Sequence, residues 1–128
     1  MLILAADTST AYFSVAAVAP GRVLGEVSIG RDRRHSERLL DCTHNLLEEL
    51  GISGKDLTAL AVSVGPGSFT GLRIGVAAWK GLALGWGLPL VGLPTLSARA
   101  RHITNGPVCP RLAGKVAEVY TRLSHVNA

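Results

Sequence analysis

A chain of 128 residues, 48% of them hydrophobic and 17% charged, carries enough apolar material for one globular domain, which excludes a disordered polypeptide. The net charge of +4 permits an acidic partner, but no run of Lys or Arg is interleaved with aromatics, so direct nucleic-acid binding gains little support. The two cysteines, Cys42 and Cys109, belong to no Cys-x-x-Cys pair and read as reduced thiols of a cytoplasmic protein.

Residues 1–6 form a continuous apolar run without a basic leader, which reads as a strand and not as a secretory signal. The run ends in the polar cluster Asp7-Thr8-Ser9-Thr10, whose short side chains can bond their own backbone in a hairpin turn. Residues 12–18 are again strand-like, Ala19-Pro20-Gly21 turns the chain, and residues 22–29 alternate apolar with polar. Three strands joined by short turns predict an antiparallel meander.

The densest charge cluster follows, Arg31-Asp32-Arg33-Arg34-His35-Ser36-Glu37-Arg38, which reads either as a solvated face or as a surface for an acidic partner. Ser36 is placed to cap a helix that runs to Leu50 and stops at Gly51. Leu39, Thr43, Leu46, Leu47 and Leu50 share one face of it. His35 and His44 are nine residues apart and cannot present one helix face to a metal.

Residues 57–64 predict a buried strand, and Gly65-Pro66-Gly67-Ser68 a turn in which Gly67 takes the positive φ of a type II geometry. Ser68 or Thr70 can cap a helix starting near Gly71. A strand breaking through a Gly-rich turn into a helix N-terminus suits a phosphate or carboxylate, so Gly65, Gly67 and Ser68 are candidate anion contacts. The helix to Trp86 carries only Arg73 and Lys80 as charges, with Leu72, Trp79 and Trp86 on a neighbouring stripe. Gly71, Gly75, Gly81 and Gly85 each cost a helix interior about 1 kcal/mol, a loss that close approach of another backbone would offset. That stripe is therefore either ordinary core or a surface for another molecule.

Residues 81–98 carry no charge, yet Pro89, Pro94 and four glycines break them, so a helix, a loop and a strand over 88–93 are expected and a membrane span is not. Thr95 or Ser97 can cap a short helix over 96–103. Asn105-Gly106-Pro107 is the natural boundary between a first lobe, 1–105, and a remnant, 106–128, in which 108 and 116–123 look strand-like. Strand-helix-strand units after a meander predict an α/β fold with a mixed sheet in βββαβαβα order.

Residues 1–103 resemble the TsaB (YeaZ) family, the accessory subunits of bacterial threonylcarbamoyladenosine synthesis in tRNA. The resemblance rests on Leu4-Ala5-Ala6-Asp7-Thr8-Ser9-Thr10, on His35-Ser36-Glu37-Arg38-Leu39-Leu40, and above all on the run from Ser63 to Gly75 followed by Lys80-Gly81-Leu82-Ala83. It implies an actin-like ATPase (ribonuclease H-like) lobe, in which Asp7, Thr8, Ser9 and Thr10 stand at the first phosphate-binding turn. The related TsaD subunits carry a metal-binding histidine pair where Thr95 and Arg99 stand here, and neither side chain replaces an imidazole. The resemblance thus implies a non-catalytic partner of TsaD, reaching the ATPase TsaE and tRNA only through the complex. It implies no metal, no cofactor beyond weak ATP or ADP binding shared with the partner, and homodimers in isolation. The implied interface holds Ser36, Leu39, Leu40, Thr43, Leu72, Arg73, Gly75, Val76 and Trp79. A nucleotide-binding actin-like ATPase and a glycoprotease-like metallopeptidase are the alternatives. At the second lobe, where the family often has Asp-Ala-Arg-x-x-Glu-Val-Tyr, this chain keeps only Glu118-Val119-Tyr120. Roughly half of the family's length is expected to be missing.

Overall fold

The computed structural model describes the backbone at residues 1–30, 35–101, 106–108, 111–113, 119–121 and 124–126, and side chains at 1–30 and 38–101. The basic run 31–34 and the expected boundary residue Asn105 lie outside the described residues, as do the side chains of His35, Ser36 and Glu37.

The first eight elements are β1 (Ile3–Asp7), β2 (Tyr12–Ala19), β3 (Arg22–Gly30), α1 (His35–Glu49), β4 (Ala59–Gly65), α2 (Phe69–Trp86), β5 (Leu90–Pro94) and α3 (Thr95–Ala100), which is the expected order. The five strands form one mixed sheet in the order β3-β2-β1-β4-β5. The first three strands pair antiparallel, whereas β4 joins β1, and β5 joins β4, in parallel. Short turns can reverse a strand, but parallel neighbours need a long crossover, and α1 and α2 provide those crossovers. Beyond the sheet, β6 (Gly106–Val108) pairs with β9 (Ser124–Val126), and β7 (Arg111–Ala113) with β8 (Val119–Thr121), in two separate antiparallel ladders.

Alternation along each strand sends Leu4, Ala6, Phe13, Val15, Leu60 and Val62 to one face. There they meet Leu39 and Leu47 of α1 and Trp79 and Ala83 of α2 in one buried core. The Trp79 ring is fully buried, and its Nε1–H donates to the Leu4 carbonyl at 3.2 Å, so the one polar atom of the indole is satisfied by a sheet strand.

Several local expectations are revised. Helix α1 already includes His35, so Ser36 falls within its first turn and not at the position before the helix. Gly65, not Gly67, takes the positive φ, at 112°, and the Gly65–Pro66 bond is cis. Neither Thr95 nor Ser97 caps α3, because the residue before the helix is Pro94, which has no side-chain donor or acceptor. Thr95 is instead the first helical residue, 1% exposed, with its hydroxyl unpaired.

Of the two candidate caps for α2, Ser68 fills the role: its Oγ accepts from Gly71 N–H at 3.2 Å. No acidic residue stands in the first turn to supplement it. Ser68→Ala is therefore expected to cost about 1 kcal/mol, and Ser68→Asp to retain most of that stability. A urea melt monitored by circular dichroism checks this, and equal midpoints for wild type and the alanine variant would remove the cap from the account.

Candidate functional site

Parallel pairing of β1 and β4, with Ala6 opposite Val62, brings the carboxyl ends of both strands to the same edge. The turn Asp7–Thr10 and the loop Gly65–Ser68 therefore lie side by side. Asp7 Oδ1 accepts from Ser9 N–H at 2.9 Å, the own-backbone bond expected of a hairpin turn. The Ser9 carbonyl accepts from Ser68 N–H at 2.7 Å.

Gly67 lies directly against Ser9: a Cβ there would stand 2.7 Å from Ser9 Cβ and would collide with the Ser9 carbonyl oxygen. Gly67 is small because the chain's own first turn presses on it, so its presence in the loop is explained without an anion. Thr8 and Ser9 are 2% and 1% exposed, so neither hydroxyl is available to a solvent-borne ligand. Asp7 and Thr10 remain half-buried at the rim.

Helix α2 has two faces of different character. Gly71, Gly75, Trp79 and Ala83 are buried against the sheet. Gly75 sits on Thr8 so closely that a Cβ would stand 3.0 Å from Thr8 Cγ2 and would collide with its hydroxyl. Leu72, half-buried, approaches Gly65, and Trp86 lies over Gly54 while keeping 37% of its surface exposed. Of the stripe Leu72, Trp79, Trp86, only Trp79 is fully buried in the core.

Burial also corrects the expected interface. Leu39 and Thr43 are 1% and 2% exposed, and Thr43 Oγ1 donates back to the Leu39 carbonyl at 2.7 Å. With Gly75 and Trp79 they belong to the core, and Val76 packs half-buried against it. Leu40 and Arg73 remain exposed.

The outward face of α2 holds what the stripe reading missed: Phe69, Arg73, Ala77, Gly81, Leu84 and Gly85, spaced at three to four residues so that they share a side. Phe69 is 68% and Leu84 86% exposed, the Arg73 guanidinium lies 5.3 Å over the Phe69 ring, and a Cβ at Gly81 or Gly85 would meet no described residue beyond its own stretch of helix within 4 Å. Leu40 of α1, 46% exposed, adds a second exposed leucine on the helical side of the sheet. The signal that could have found this face is the spacing 69, 73, 77, 81, 84, which a helix apolar nearly all round conceals.

On the opposite face of the sheet, Arg99 of α3 and Asp7 of β1 line a groove of about 210 Å³. Thr95, the other position where the resemblance places a metal-binding histidine, is buried. An arginine and a buried threonine offer a divalent cation no donor set. None of the helices among the described residues is long and apolar enough to cross a membrane.

The family model described as TsaD, tRNA N6-adenosine threonylcarbamoyltransferase, matches residues 22–126. The tRNA threonylcarbamoyladenosine biosynthesis protein TsaB of Escherichia coli is 40% identical over 124 residues, covering 94% of this chain and 53% of that protein. The chain spans about half the length of the curated TsaB relatives it matches. Among solved structures, YeaZ from Pseudomonas aeruginosa superposes with a TM-score of 0.86 at 32% identity, over 98% of this chain and 60% of that one. RuvC of Thermus thermophilus matches at a TM-score of 0.56 and 14% identity, over 77% of this chain and 67% of that one. That likeness concerns the fold alone, and it agrees with an actin-like, ribonuclease H-like lobe.

Proposed function

The chain belongs to the TsaD family and resembles its TsaB members, and from that premise we propose that it is a non-catalytic partner subunit in the threonylcarbamoylation of tRNA. The partner is a TsaD-type protein, docked on the outward face of α2 with Leu40 of α1 beside it. In the absence of that partner the same face joins two copies of this chain. TsaE and tRNA are reached through the complex in the cytoplasm, and this chain holds no cofactor alone. Any ATP or ADP contact is completed by the partner.

The observation that carries this reading is the outward face of α2. Phe69 and Leu84 are large apolar side chains left in water, 68% and 86% exposed, at either end of a helix whose inner face is already filled by the sheet. Between them Ala77 and Gly81 keep part of the surface low enough for another helix to approach, with the exposed Arg73 and Lys80 along its margin. The non-catalytic part rests on Thr95 and Arg99, which offer no metal ligand where the resemblance places one.

Ala77→Arg combined with Leu84→Glu tests the docking face. Both positions are exposed, so the melting temperature should stay within about 2 °C of wild type. Co-purification with the TsaD-type protein of the same organism should be lost, and light scattering should show a monomer where the wild-type chain is a dimer. Undiminished recovery of the complex by the double variant would discard the interface. Gly75 and Val76 are unsuitable sites for such variants, since both pack against the core.

A further inference from the structure

The groove on the face of the sheet turned away from α1 and α2 is used by none of the foregoing. Its floor is made of methyl groups, Ala5, Ala16 and Ala61, at adjoining positions of β1, β2 and β4. Alanines at the centre of a sheet leave room above them, and the resulting volume of about 210 Å³ falls below the ~300–1,000 Å³ usual for drug-sized ligands. The occupant must therefore be small.

The walls determine its charge. Asp7 stands at the end of β1, held in place by the bond from Ser9 N–H to its Oδ1. Arg99 comes from α3, and the two form no ion pair with each other or with any other described residue. Ser63 of β4 also lines the groove and offers it a hydroxyl that can donate or accept. A simple anion in this groove would meet Asp7, and a simple cation would meet Arg99. A ligand carrying both charges satisfies both walls.

We propose that the groove lined by Asp7, Ser63 and Arg99 binds a small zwitterion of the α-amino acid class, its carboxylate toward Arg99 and its ammonium toward Asp7. A guanidinium grips a carboxylate through two parallel N–H bonds, and Asp7 keeps its second oxygen for the ammonium. Ser63 supplies a hydrogen bond to whichever group lies over β4.

Titration of the ¹⁵N-labelled chain with L-alanine and L-serine tests this, with propionate and propylamine as singly charged controls. Saturable shifts of the Asp7, Ser63 and Arg99 amides are expected, with a Kd of about 1 mM or tighter, and at least tenfold weaker binding of both controls. Arg99→Gln, at an exposed position, should weaken the amino acids at least tenfold without changing the melting temperature. Asp7→Asn, which keeps an acceptor for Ser9 N–H, should do the same. The proposal is overturned by absence of saturable shifts up to about 50 mM, a far weaker affinity than a built site would give. Propionate binding as tightly as L-alanine, or Arg99→Gln binding like wild type, would overturn it equally.

Discussion

Trp79→Ala is expected to cost about 3–5 kcal/mol of stability, a large part of the ~5–15 kcal/mol that a domain of this size possesses. The side chain is fully buried, and the core around it is built from β1, β2 and β4 on one side and α1 on the other. No neighbour is large enough to close the space an indole leaves. Trp79→Phe separates two contributions: it keeps most of the ring but removes the donor to the Leu4 carbonyl, which should cost a further ~1–2 kcal/mol for an acceptor left short of a partner. Urea unfolding followed by circular dichroism measures both, and Trp86 remains as a fluorescent reporter. The function is coupled to this outcome. If Trp79→Ala cost less than about 1 kcal/mol, the ring would not be anchoring α2 to its own sheet, and the stripe with Leu72 would return to consideration as the docking surface. With the expected loss, any weakening of partner capture in this variant follows from the lower fraction of folded chain and not from a lost contact.

The strand order was readable because each strand alternates or runs wholly apolar, and because the Pro and Gly of the turns fall between periodic segments. Residues 22–29, with Val23, Val27 and Ile29 set against Arg22, Glu26 and Ser28, could hardly be anything but a half-exposed strand, and β3 is indeed at the sheet edge. The phase of α2 was not readable. A helix with two charges in eighteen residues has no polar side to orient it, so the aromatic spacing of Trp79 and Trp86 drew attention to the inner face and away from Phe69 and Leu84. The glycines misled for a related reason. Composition shows that a small residue is present but not which backbone comes near it, and at Gly67 that backbone is Ser9, distant in sequence and adjacent in space. For the same reason Thr8 and Ser9, polar by type, are buried by the loop that closes over them.

That distinction among the glycines gives the second large prediction, in which one kind of substitution has opposite signs along one segment. Glycine to alanine in an open helix gains about 1 kcal/mol of propensity. At Gly81 nothing lies within 4 Å of the new methyl group, so Gly81→Ala should stabilise the isolated chain by up to that amount. At Gly75 the methyl would collide with the Thr8 hydroxyl and press on its Cβ at 3.1 Å. Overpacking of this kind costs about 1–3 kcal/mol, which exceeds the gain in propensity, so Gly75→Ala should destabilise. Gly67→Ala should be the most damaging of the three, because its neighbour is a backbone carbonyl fixed by the bond from Ser68 N–H at 2.7 Å, and a carbonyl cannot rotate away as a side chain can. Its cost should reach or pass the upper end of that range and open the contact between the two loops. Melting temperatures of the three variants decide the matter. Stabilisation by Gly75→Ala would mean that α2 stands further from β1 than the structure has it. Destabilisation by Gly81→Ala in the isolated chain would mean that its outward face is already covered, by the chain itself or by a second copy. A stabilised Gly81→Ala chain that nevertheless captures its TsaD-type partner more weakly would give the helical cost of that glycine a functional cause: the residue is kept small for a surface that belongs to another molecule.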